Sequence, residues 1–240
     1  MTTLDPETRD RLVRVSTATL TTCLFKRGLR NTFMQGVHPV NPALRMVGPA
    51  FTLRYIPARE DVDVMERYAD PEHPQRKAIE TCPSGHVLVI DSRKDARAAA
   101  AGDILLARLM VRGVAGVVTD GGFRDTPAIA KLGFPAYHAR PSAPVGPILH
   151  HAADFQLPIG CGDVPVYPDD VVVGDGEGVV VIPAHLADEI AAEAAGMTAY
   201  EDFVEAQVRT GRKLHGLYPA TPESRREFEA WRTGQGGGEG

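Results

Sequence analysis

Two short apolar runs constrain this chain more than any other feature. His86-Val87-Leu88-Val89-Ile90-Asp91 and Ala115-Gly116-Val117-Val118-Thr119-Asp120 are rich in β-branched residues, nearly continuous in apolar character, and each stops at a carboxylate. Such runs fit strands buried on both faces, as in a parallel sheet covered by helices. Between them, Gly102-Asp103 opens a helical stretch. Ile104, Ala107, Arg108 and Val111 fall on one row, Leu105 and Leu109 on the next, and Arg108 and Arg112 close the segment before Gly113. Basic residues there complement the helix dipole. The order is therefore strand, helix, strand, and an α/β sheet presents ligands outside the carboxyl ends of its strands.

The flanking segments extend this picture. Asp5-Pro6 marks a helix start, with Leu12, Val15, Thr19 and Leu20 at helical spacing up to Gly28, so the first thirty residues read as helix. A loop over 31–49 precedes a strand over 50–56, ended by Pro57. A short helix around Asp63–Tyr68 and a polar loop carry the chain to the turn at Pro83-Ser84-Gly85. Phe134–His138 reads as a marginal strand because of its proline. The runs 158–162, 164–167, 171–173 and 179–182 suggest an antiparallel meander or small barrel, and 184–213 one or two helices. The last residues, Thr233–Gly240, are glycine-rich and expected to be flexible.

Length and charge narrow the class. A chain of 240 residues, 43% hydrophobic and 24% charged, can bury a full core. With 26 basic and 31 acidic residues and no run of five or six like charges, nucleic-acid binding driven by a basic face is not expected. No stretch approaches the ~18 apolar residues of a membrane span. The start MTTLDPETRD resembles no signal peptide, so a cytoplasmic protein is expected. Cys23, Cys82 and Cys161 are too scattered for a disulfide framework or a thiolate zinc site.

The segment richest in chemistry is Thr119-Asp120-Gly121-Gly122-Phe123-Arg124-Asp125. A strand running into two glycines can bring backbone close to a ligand. Arg124 then offers a planar fork to a carboxylate, and Asp125 hard oxygen to a divalent cation. The start of the intervening helix, Gly102-Asp103-Ile104-Leu105, offers backbone amides to an anion. A plainer reading makes Arg124 and Asp125 a surface ion pair and Asp103 a dipole-stabilising acid. Other clusters argue for less. His150-His151 with Asp154 looks like a metal cluster, but adjacent histidines point in different directions. His138 fits a packed strand end. Gly174-Asp175-Gly176-Glu177-Gly178 lacks the Lys-Ser/Thr of a phosphate loop and fits a hairpin turn. Cys161 has no basic partner nearby. No glycine-rich S-adenosylmethionine loop follows the first strand.

Taken together, VGPAFTL (47–53), GHVLVID (85–91), AGDILLARLMVRGVAGVVTDGGFRD (101–125) and CGDVPVYPDDVVVGDGEGVVVIP (161–183) resemble the family of 4-hydroxy-4-methyl-2-oxoglutarate/4-carboxy-4-hydroxy-2-oxoadipate aldolases, the class II pyruvate aldolases, and the RraA proteins that regulate a ribonuclease. The resemblance covers residues 5–213, and Gly102 followed by Arg124-Asp125 is its most specific part. It implies a swivelling β/β/α-type α/β domain over 1–213, with a mixed central sheet and flanking helices, and a C-terminal helical extension over 214–240. It further implies homotrimers or homohexamers with active sites between subunits. Arg124 would bind pyruvate together with the helix start Gly102, Asp103, Ile104 and Leu105. Asp125 would hold Mg²⁺ or Mn²⁺, with Asp103 acting through water and also serving the C4 hydroxyl proton. Glu201 of a neighbouring subunit would approach the metal, with Asp202 and Glu205 close enough in register to compete.

One departure stands out. The aldolase signature carries an acid three positions beyond the Asp, where this chain has Ala128, so the metal's surroundings are expected to differ. The implied activity is retro-aldol cleavage of a 4-hydroxy-2-oxo acid to pyruvate, with decarboxylation of oxaloacetate through the same enolate. The alternative is a non-catalytic RraA-type regulator. A third reading is a lyase on another sugar acid, with specificity carried by the charged stretch Arg59–Lys77 and the C-terminal segment.

Overall fold

The sheet is organised around one long strand whose two halves serve different partners. In the computed structural model, which describes residues 3–235, two helices, α1 (Pro6–Arg14) and α2 (Thr17–Lys26), precede a short β1 (His38–Pro39) and that long β2 (Met46–Pro57). A 3-10 turn (Met65–Ala69) and α3 (Pro74–Thr81) lead to β3 (Val87–Asp91), β4 (Ala99–Ala101) and α4 (Asp103–Val111). Next come β5 (Gly116–Thr119), β6 (Gly122–Phe123), α5 (Thr126–Ile129), β7 (Ala136–His138) and β8 (Arg140–Pro141). The chain continues through β9 (His150–Phe155), β10 (Ile159–Cys161), β11 (Val164–Val166), β12 (Val171–Gly174) and β13 (Val179–Ile182), and ends in α6 (Ala187–Arg209) and α7 (Pro222–Gln235).

Among these residues the main sheet runs β1-β7-β5-β3-β2-β12-β13, with β9 joined to β2. Strand β2 pairs with β3 in parallel through Ala50–Arg54, and antiparallel with β12 through Met46–Pro49 and with β9 through Leu53–Pro57. The domain is thus a mixed α/β unit. Because side chains alternate across a strand, Leu88 and Ile90 face a core shared with Ala78 and Ile79 of α3 and Leu106 and Leu109 of α4. Val87 and Val89 face the opposite core, built with Ile159, Cys161, Val164 and Val166. A third core joins Val171, Val173, Val180 and Ile182 to α1, α2 and α6.

Several local readings change. The N-terminal helix is two helices: Asp5 caps the first, accepting from the amides of Glu7 and Thr8 at 3.0 and 3.1 Å. Val15 is then extended, and Ser16 caps the second by accepting from Thr19 N at 3.1 Å. A serine before an apolar run is a helix start even inside a continuous periodicity. The polar loop before Pro83 contains α3, whose buried face is Gln75, Ala78 and Ile79, while Glu80 is exposed and Arg76 and Lys77 are half-buried. In α4, Leu106 and Leu109 are buried, while Ile104, Arg108 and Val111 of the other row are exposed and Ala107 is half-buried. The distal strands are not a meander. β10 and β11 form a separate antiparallel hairpin, and β12 and β13 extend the main sheet.

The last two helices share an aromatic cluster of Tyr200, Phe203, Phe228 and Trp231. The Tyr200 hydroxyl donates to Leu217 O at 2.6 Å and lies 2.7 Å from Ser224 Oγ. Thr233–Gln235, expected to be flexible, close α7 instead, and the rest of the glycine-rich end, from 236 onward, lies outside the described residues.

Candidate active site

A second, three-stranded sheet carries the site. Strands β4, β6 and β8 pair in parallel in the order β4-β6-β8, and β6 and β8 follow β5 and β7 after one or two residues. Both glycines at the break are packed against serines. A Cβ on Gly121 would stand 2.5 Å from Ser92 Cβ, and one on Gly122 2.5 Å from Ser142 Cβ. The glycine pair therefore lets strand paths cross closely rather than opening room for a ligand. The carboxylate ending the second buried run is likewise structural. Asp120 is buried, accepts from Ser92 N at 2.7 Å and Gly162 N at 3.3 Å, and its pKa is raised by burial against the lowering pull of those amides.

At the carboxyl ends of β4 and β6 the chain delivers Gly102 and Arg124 side by side. Arg124 N donates to Ala101 O at 3.0 Å. A Cβ at position 102 would lie 2.8 Å from Arg124 Cγ and 3.1 Å from Asp125 Oδ2, so only glycine leaves both side chains where they are. Arg124 Nε donates to Asp125 Oδ2 at 3.1 Å, with both side chains 42% exposed. Asp125 has φ 58°, a left-handed conformation that aspartate tolerates better than most residues. Asp103, the first residue of α4, turns Oδ1 onto the amide of Ile104 at 2.8 Å, and Leu105 N bonds Gly102 O at 3.1 Å. An anion on this helix start would compete with the Asp103 carboxylate for the Ile104 amide. Ala128 is exposed on α5, one turn beyond Asp125.

Beside Gly102 and Arg124 lies a cavity of about 120 Å³. Its walls are the end of β4, Leu105, Met65 and Tyr68 of the 3-10 turn, Gln75 and Arg76 of α3, and the loop 145–147. Gln75 and Arg76 are absent from the motif-based site. Both fall within the charged stretch Arg59–Lys77 that the sequence offers as a seat of specificity, and Gln75 is also a polar residue on an otherwise apolar helical stripe, Gln75-Ala78-Ile79-Cys82.

Glu201 lies elsewhere in the chain, on α6, where Oε2 accepts from Thr19 Oγ1 of α2 at 3.3 Å. Within one chain it is not among the groups around Gly102 and Arg124. His150 and His151 diverge as neighbours on a strand must. His150 Nε2 meets Ala98 O at 3.2 Å and His151 Nδ1 meets Asp63 Oδ1 at 2.7 Å, while Asp154 pairs with Arg54. In the β12–β13 turn, Asp175 accepts from Thr17 N at 2.8 Å and Thr17 Oγ1 at 2.9 Å, fixing the start of α2. Cys161 is buried, and desolvation pushes its thiol up.

Asp103 and Asp125 offer hard oxygen around Gly102, and no group of three His, Cys, Asp or Glu side chains able to hold a metal occurs among the described residues. That donor set suits a magnesium-type ion, which keeps several waters and takes one or two carboxylates. No helix among the described residues is long and apolar enough to cross a membrane.

A fold with parallel strands delivering a Gly, an Arg and an Asp to one edge has relatives. Residues 17–181 match the RraA-like model, described as Aldolase/RraA, and the chain belongs to that family. It is 31% identical, over 78% of its own length and 84% of the relative's, to a Halalkalibacterium halodurans protein provisionally named 4-hydroxy-4-methyl-2-oxoglutarate aldolase. Its structure is similar to that of Streptomyces coelicolor RraAS2, described as an unusual member of the RNase ES inhibitor RraA family. The TM-score is 0.75 at 30% identity, over 85% of this chain and 98% of that one. A Pseudomonas syringae pv. tomato protein shares the fold with a TM-score of 0.77 at 24% identity, over 90% of this chain and 99% of that one.

Proposed function

We propose that this protein is a divalent-metal-dependent carbon-carbon lyase that cleaves a small 2-oxo acid and releases pyruvate. The observation that carries the reading is the convergence of Gly102, Arg124 and Asp125 at the ends of two paired parallel strands, beside a cavity. Mg²⁺ or Mn²⁺ would be held by Asp125, and by Asp103 through water. When bound, the cation supplies Lewis acidity toward the 2-oxo group. The Arg124 guanidinium binds the carboxylate of the pyruvoyl half and stabilises negative charge as it develops.

In retro-aldol cleavage the C4 hydroxyl loses its proton, the C3–C4 bond breaks, and its electron pair becomes the pyruvate enolate, which is then protonated at C3. Asp103 is assigned the hydroxyl proton, relayed by water. Oxaloacetate needs no such base, since loss of CO₂ yields the same enolate. Glu201 of a neighbouring subunit completes the assignment in a trimer or hexamer.

The test is a coupled pyruvate assay with Mg²⁺ or Mn²⁺ against hydroxylated 2-oxo diacids, sugar-derived 2-oxo acids and oxaloacetate. Pyruvate is expected from at least one of them, and its absence from all would overturn the proposal. Arg124→Ala and Asp125→Ala should each lower the rate roughly a hundredfold or more with an unchanged melting temperature. Wild-type turnover by both would overturn the site assignment.

A second reading, a protein-binding regulator, draws on the likeness to RraAS2. Partner capture that persists in chelator, from a protein with no lyase activity, would favour it.

A further inference from the structure

The cavity beside Arg124 holds a buried acceptor that the protein itself does not satisfy. Gln75 is 6% exposed and lines the cavity, and its Oε1 has no hydrogen-bond partner among the described residues. The amide cannot simply be turned over. Nε2 donates to Ala100 O at 2.7 Å and to the Tyr55 hydroxyl at 2.9 Å, and that hydroxyl in turn donates to Ala100 O at 2.9 Å. Reversing the amide would set Oε1 against a carbonyl oxygen, two acceptors face to face. Leaving a buried acceptor unpaired costs about 1–3 kcal/mol, so such an atom asks for a donor from a ligand.

The next residue supplies charge. Arg76 is half-buried, donates from Nε to Tyr68 O at 3.3 Å, and lays its guanidinium over the Tyr68 ring at 5.2 Å. It forms no ion pair with a carboxylate among the described residues. Arg76 of α3 and Arg124 after β6 thus line one cavity, with no acid among its described lining residues. Two arginines and an unpaired acceptor sharing one cavity match a ligand with two carboxylates and a hydroxyl beside one of them.

We propose that Gln75 and Arg76 are the specificity-determining residues for the half of the substrate that does not become pyruvate: Gln75 Oε1 accepts a hydrogen bond from the ligand hydroxyl, and Arg76 takes its distal carboxylate. This rests on the lyase reading for its account of the pyruvoyl half, which Arg124 holds. Both residues are positioning groups and take no proton.

Binding of unreactive acids separates this inference from the lyase reading. Three probes suffice, measured by calorimetry on the full chain in the presence of Mg²⁺: 2-hydroxyglutarate, glutarate, which lacks the hydroxyl, and 4-hydroxypentanoate, which lacks the second carboxylate. The wild type is expected to bind 2-hydroxyglutarate about tenfold tighter than either of the others, a ratio typical of one well-placed polar contact. Gln75→Met should erase the preference for 2-hydroxyglutarate over glutarate while leaving glutarate affinity unchanged. Arg76→Met should erase the preference over 4-hydroxypentanoate and leave 4-hydroxypentanoate binding as it was. Equal affinity of the wild type for 2-hydroxyglutarate and glutarate would overturn the role of Gln75 without any variant, which covers the case in which Gln75→Met fails to fold. Uniform weakening of all three probes in Arg76→Met would overturn the role of Arg76. Failure to make pyruvate would sink the lyase and leave these ratios standing.

Discussion

Gly102 shows how much a single missing methyl can carry. Its α-carbon sits where β4 becomes α4, and the neighbouring strand sends Arg124 across the space a Cβ would fill. Gly102→Ala should therefore displace the Arg124 side chain rather than unfold the domain. We expect a loss of roughly 10–100-fold in lyase rate, because small misplacements of a binding group are costly. The melting temperature should stay near that of the wild type, and a large fall in it would show that the glycine serves the fold. The Gly-Arg-Asp set was legible in the sequence because its spacing belongs to a strand-helix-strand unit. Gln75 was not legible, since nothing in the order of residues shows that a polar side chain on an apolar stripe will have one end bonded and the other bare.

At the level of elements, the sequence was most readable where burial is complete on both faces. β3 and β5, in the two runs that stop at Asp91 and Asp120, could be read directly because β-branched runs have few alternative uses. Elements with one solvated face were harder. α3 looked like a loop because only Ala78 and Ile79 of its buried residues are apolar against three charged residues, and the N-terminal helices merged because Ser16 interrupts backbone geometry without interrupting apolar spacing. The last helix depends on few contacts. α7 meets α6 through Phe228 and Trp231 on Tyr200 and Phe203, a satellite cluster apart from the three main cores. Phe228→Ala should loosen α7 locally by about 3 kcal/mol, or roughly a hundredfold in amide exchange. Exchange in β3 and β5 should stay unchanged, as hydrogen-deuterium mass spectrometry can check.

Across the whole molecule, buried histidines make stability depend on pH. His138 lies under Phe123, with ring centroids 5.6 Å apart, and burial, helped by nearby His38, lowers its pKa from 6.5 to about 4. Burial also lowers His73 and His150. The unfolded chain therefore binds a proton at His138 that the folded chain refuses, so stability is full above pH 6.5 and is lost as pH falls toward about 4. The loss is at most roughly 3 kcal/mol for this one group. His138→Phe should flatten the fall in melting temperature across that window relative to wild type, and an unchanged slope would exclude His138 as a cause. β2 has a consequence of another kind, in the timing of synthesis. Its first half cannot meet β12 until residue 174 exists, although Met46 was added long before. At about 5–20 residues per second the ribosome leaves that edge bare for roughly 6 to 25 s. During that interval an uncovered strand invites pairing with another nascent chain. Insertions between β2 and β12 should lengthen this window and lower the yield of folded protein well before they cost the finished domain much stability.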